Sequence, residues 1–113
     1  MKKNIDEEWI QVQQRFQEQF GEDLDLQGIL FLIGVQELGQ GKRDFTKNQK
    51  MDLMHIAICR LLSIYGFYEL QGLDEEGWPH WKATDKLPQL KPMEQERLMK
   101  MAVIEYAKEE GIV

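Results

Sequence analysis

Helical spacing of apolar residues in four segments, capping patterns at their ends, and a change of period after Gly66 predict a mainly α (α+β) fold. The expected architecture is a compact bundle of about four helices with a β-hairpin between the third and fourth. The helices are expected at about 5–20, 26–38, 47–65 and 92–109, and the hairpin at about 67–84. At 113 residues the chain should form a single domain, 1–113, that buries roughly two thirds of its unfolded surface.

In the first segment Ile5, Trp9, Val12, Phe16 and Phe20 are spaced 4, 3, 4 and 4 apart, which aligns them on one stripe of a helix. Glu7, Glu8, Gln11, Gln14, Arg15 and Glu18 occupy the other side. Asn4 followed by Glu7 reads as a capping box, and Gly21 suits the C-terminal stop. The second segment, LQGILFLIGVQEL from Leu26 to Leu38, has Asp25 as cap and Gly39 as terminator. Apolar nearly all round, it is expected to be the buried centre of the domain. Gly28 and Gly34 within it each cost about 1 kcal/mol relative to alanine, and such glycines mark close approach by another helix.

Thr46 and Gln49 form a second capping box before a long helix from Lys47 to Tyr65, closed by Gly66. Leu53, Met54, Ala57, Ile58, Leu61, Leu62, Ile64 and Tyr65 fill its wide apolar arc, while Asp52, His55, Cys59 and Ser63 share the remaining strip. After Gly66, FYELQGL and HWKAT read as two short strands joined by the turn-rich DEEGWP. Pro79 stands at the start of the second strand, where it need not donate a ladder hydrogen bond. Prolines keep DKLPQLKP extended, and Pro92 opens the last helix. Leu98, Met99, Ala102, Val103, Tyr106 and Ala107 form its inner face. Met101 and Ile104 fall outside that face and would be free to touch a second subunit.

Hydrophobic content of 42% and charged content of 30% belong to a globular chain rather than a disordered one. A lone cysteine, Cys59, excludes an internal disulfide and fits a reducing compartment. The two N-terminal lysines precede no apolar run, so no signal peptide is expected, and no stretch is long enough to cross a bilayer. The expectation is a cytoplasmic protein with no membrane partner. The net charge of −6 divides into −5 over residues 1–38, +3 over 39–67 and −4 over 68–113. An acidic whole disfavours nucleic acid and anionic membranes, with the basic middle as a local exception.

The words FLIGVQELGQGKRDFTKNQKMDLMHIA and GLDEEGWPHW resemble a family of small bacterial proteins with no assigned activity. The resemblance covers about the middle two thirds of the chain and implies a soluble bacterial protein. It supplies no substrate, cofactor or catalytic residue.

Four constellations carry the candidate chemistry. Glu37 projects at nearly the angle of Leu30 and Ile33, so it is expected as a buried polar group, paired with Lys42, Arg43, His55 or Arg60. His55 is expected as a second buried polar group, on the strip with Asp52 and Cys59. Those three residue types, with His80, suit a metal, but no paired-ligand motif such as CxxC accompanies them, so no metal is assigned. GQGKRDFTKNQK places Lys42, Arg43, Lys47 and Lys50 around a helix N-terminus, a candidate anion-binding surface without a Walker A pattern. Trp78, Pro79 and Trp81 concentrate rigid aromatic surface at the hairpin and are candidate partner-binding residues, with Met101 and Ile104 as a second patch.

These features favour a non-enzymatic domain that binds another protein, a second copy of the chain included. The element order also resembles a winged helix-turn-helix, with Lys47–Tyr65 as recognition helix and DEEGWP as wing tip. Against that nucleic-acid-binding alternative stand the long turn Gly39–Phe45 and the acidic tip. An enzyme built around Glu37, His55 and Cys59 is the third alternative, with no nucleophile elbow, HExxH or phosphate fingerprint behind it. No catalytic residue and no cofactor is assigned.

Overall fold

Residues 5–21, 24–41 and 43–112 are described by the computed structural model. Their elements run α1 (Ile5–Phe20), α2 (Leu26–Leu38), α3 (Lys47–Ser63), β1 (Tyr68–Leu73), β2 (Pro79–Ala83) and α4 (Pro92–Glu109). The predicted fold class is therefore the observed one: helices with an antiparallel two-stranded hairpin between the third and fourth. The Asn4 cap lies outside the described residues. Among those residues no helix is long and apolar enough to cross a membrane.

Packing divides the chain into two units, Met1–Ile29 with Leu90–Val113, and Leu30–Gln89. In the first, α1 lies against α4. Trp9, Val12 and Phe16 of the predicted stripe are buried, while Phe20 at its end is 39% exposed and stacks on Phe16 with centroids 6.1 Å apart. Lys108 Nζ reaches Glu8 Oε2 at 3.2 Å, and Lys100 Nζ lies 5.6 Å from the centroid of Trp9. Pro92 opens α4 as predicted, and the Glu94 carboxylate accepts from the Lys91 N–H at 3.1 Å, satisfying one of the unpaired donors at a helix start.

One expectation about α4 is corrected. Ile104 does not join Met101 on an exposed patch: it is only 4% exposed, against 40% for Met101. Ala102, Val103, Ile104, Tyr106 and Ala107 are all buried, so the C-terminal half of α4 is covered over a wider arc than one inner face.

In the second unit, the closest helix approach occurs where a side chain is missing. A Cβ placed on Gly34 of α2 would overlap the Leu53 carbonyl group of α3 and lie 2.7 Å from its carbon. The helix is not sequestered on every side, however. Ile29, Leu30, Ile33 and Leu38 are buried, but Phe31, Leu32 and Val35 are half-buried and Gln36 is exposed. An apolar circumference permits burial all round without supplying neighbours on every side. The edge of Phe31 meets Phe45 at 6.2 Å between centroids.

The α3 capping box forms as the sequence predicts. Gln49 N–H donates to Thr46 Oγ1 at 3.1 Å, and Thr46 N–H donates to Gln49 Oε1 at 2.9 Å. The helix ends two residues earlier than expected because its last turn tightens. Ile64 and Tyr65 N–H donate three residues back, to Leu61 and Leu62 O. Gly66 at φ +78° then lets Phe67 N–H return to Leu62 O at 3.1 Å. That turn delivers the chain into β1. The strands pair Tyr68 with Ala83, Leu70 with Trp81 and Leu73 with Pro79, with a bulge between Leu70 and Gly72. Gly72 at φ +135° absorbs the extra residue. Both strands pack on α3.

Candidate functional site: the cleft between α3 and the hairpin

The hairpin tip is organised by one carboxylate. Asp74 Oδ1 accepts from the N–H groups of Glu76 and Trp78, both at 2.9 Å. Gly77 N–H donates to Asp74 O at 3.0 Å, and Gly77 itself sits at φ +86°. This is a tight turn followed by a left-handed residue, the conformation for which DEEGW is suited. Asp74 Oδ2 lies 3.0 Å from His80 Nε2. The His80 hydrogen bond first, and the Trp78 N–H second, hold the Asp74 carboxyl below the usual carboxylate range. A second tie comes from outside the hairpin: Gln40 Nε2 donates to Glu76 O at 2.8 Å. The tip is thereby tied to the loop that follows α2.

Between tip and helix lies a cleft of about 480 Å³. Its hairpin wall consists of Asp74, Glu76, Trp78, Pro79, His80 and Trp81. Gln49, Asp52, His55 and Ile56 of α3 form the opposite wall. The structure thus places Trp78, Pro79 and Trp81 on one wall of the cleft. All three are half-buried. Trp81 Nε1 is buried and has no hydrogen-bond partner among the described residues. Such an indole N–H forfeits about 1–3 kcal/mol.

His55 is corrected: it is exposed on the cleft wall rather than a buried polar group. The strip of α3 that carries it is exposed at Asp52 and His55 and becomes fully buried at Cys59. Glu37 is corrected in burial, being half-buried at the edge rather than buried, but it does find one of its expected partners, with Arg60 Nε 3.3 Å from Oε1 and both side chains 23% exposed. Lys42 lies outside the described residues. Arg43 Cζ stands 5.0 Å from the Phe45 centroid and 6.0 Å from that of Trp78, so its charge rests on aromatic faces. Lys47 and Lys50 are exposed on the first turn of α3.

Cys59 Sγ lies 3.6 Å from His55 Nδ1 and 3.8 Å from Nε2, beside the ring rather than in line with either nitrogen. Burial pushes the thiol up to about 11. It is therefore protonated at neutral pH, the opposite of what a nucleophile requires. Among the described residues no three His, Cys, Asp or Glu side chains gather to hold a metal ion.

The residues sequence reasoning missed are Asp74 and Glu76 as cleft walls and Gln40 as the tether. The spacing Asp74 to Trp78 across a glycine was the available signal for the first, since it is the pattern of a side chain capping its own loop. No local pattern announces Gln40, whose partner is 36 residues away. No protein-family model matches the chain, and no curated protein or solved structure matches it either.

Proposed function

We propose that this chain is a non-enzymatic binding domain that docks an extended segment of another protein in the cleft between α3 and the hairpin. The observation that carries the reading is the convergence of Trp78, Pro79 and Trp81 on one cleft of about 480 Å³, with the tip held by Asp74 and Gln40. Rigid aromatics on a pre-ordered loop lose little conformational entropy on binding, and tryptophan is enriched among residues that dominate interface energy. Met101 is exposed but lacks Ile104 beside it, so α4 offers less support for a second contact patch.

The test is binding of a purified polypeptide first captured on the immobilised protein, followed by calorimetry with two variants. Trp78→Ala should weaken binding at least about tenfold, a loss typical of an interface hot spot, while Met101→Ala should leave it unchanged. Circular dichroism establishes that Trp78→Ala remains folded. Unchanged affinity in folded Trp78→Ala refutes the cleft as the docking surface, and a wild-type protein that merely associates with itself in light scattering replaces the partner by a second copy.

A further inference from the structure

We infer that the segment docked in this cleft presents an arginine side chain to it. The inference rests on the cleft being the docking surface and adds the chemistry of its occupant. The walls hold three carboxylates, Asp52, Asp74 and Glu76, and no lysine or arginine. Asp74 is engaged by His80 and by the loop's own N–H groups. The other two differ from it. Among the described residues neither the Asp52 nor the Glu76 carboxylate has a hydrogen-bond or ion-pair partner, and both are exposed.

The cleft therefore combines unpaired negative charge on both walls with the indoles of Trp78 and Trp81. A cation over an indole face gains from the ring quadrupole. A planar guanidinium stacks on that face while its edge N–H groups point outward to carboxylates, which a compact, strongly hydrated ammonium does less well. The chain supplies its own example at the rim, where the Arg43 guanidinium lies over Phe45 and Trp78. Arg43 is a competing charge beside Trp78 and is absent from the walls themselves. An acidic segment would meet like charge on both sides and is excluded by the same arrangement.

Two-dimensional NMR of the full chain labelled with nitrogen-15 tests this directly. The indole N–H signals of Trp78 and Trp81 report on the cleft, and that of Trp9 serves as an internal control. The probes are blocked pentapeptides with a central arginine, lysine or glutamate between leucines. The arginine peptide should shift the Trp78 and Trp81 signals in a saturable way, leave Trp9 in place, and bind more tightly than the lysine peptide. The glutamate peptide should cause no shift. Asp52→Asn and Glu76→Gln should each weaken the arginine peptide ~fivefold, as removal of one charge at short range in a hydrated cleft requires, and added salt should weaken it further.

Equal binding of the lysine peptide, or arginine binding indifferent to both carboxylate variants, overturns the assignment. So does an arginine peptide that moves neither cleft indole. A glutamate peptide that binds at the same indoles overturns it while leaving the docking surface intact. Failure of the docking surface itself is read separately, from the affinity of Trp78→Ala for the captured polypeptide.

Discussion

Gly34 is where a single absent methyl group decides how near two helices can come. An added Cβ would meet backbone, the Leu53 carbonyl, which cannot swing aside as a side-chain tip can. Gly34→Ala gains about 1 kcal/mol of helix propensity but incurs steric costs of about 1–3 kcal/mol or more, so a net loss of stability is expected in urea unfolding. At Gly28 the nearest atoms belong to the Leu24 and Asp25 side chains, at 3.2 and 3.3 Å, rather than to backbone. Gly28→Ala should accordingly cost less than Gly34→Ala in the same measurement. The sequence showed that both glycines were out of place in a helix; only the packing of α3 distinguishes them.

At the level of elements, the hairpin tip depends on one ionised group. Because Asp74 titrates below the usual carboxylate range in the folded chain, its contribution is fully present above that range and is lost as pH falls through the lowered value. The amide signals of Glu76 and Trp78, which donate to that carboxylate, should move together in acid with a midpoint below that of an ordinary aspartate. In Asp74→Asn this shared transition should vanish. An unchanged transition in the variant would assign it to another group. The helices and the hairpin were legible because capping, period and turn residues are local: Thr46 with Gln49, Gly66 and DEEGW each announce themselves within five residues. The cleft was half legible. Its tryptophans stood out by type, whereas the facing of Asp52 and His55 toward Asp74 and Glu76 arises from α3 packing on β1 and β2, a non-local fact.

Across the whole molecule, burial departs from the pattern of helical faces most clearly in α4. The helical angle of Ile104 points to the outside, yet it is buried with Ala102, Val103, Tyr106 and Ala107. Ile104→Ala should cost about 2–4 kcal/mol, and Met101→Ala, three residues earlier on an exposed position, about 0.5 kcal/mol or less. Thermal unfolding of the pair measures the contrast, and similar shifts for both would return Ile104 to the surface. The net charge of −6 acts at this scale too, opposing non-specific association with other acidic surfaces.

The division of the chain into Leu30–Gln89 and a pairing of its two flanks has a consequence for biosynthesis. A ribosome finishes the inner stretch, hairpin included, while the C-terminal helix is still untranslated. The outer stretch has to wait, since α1 emerges first and its mate α4 emerges last. During that interval the apolar stripe of Trp9, Val12 and Phe16 lacks α4, and this is the stage of elongation at which a chaperone would have most to hold.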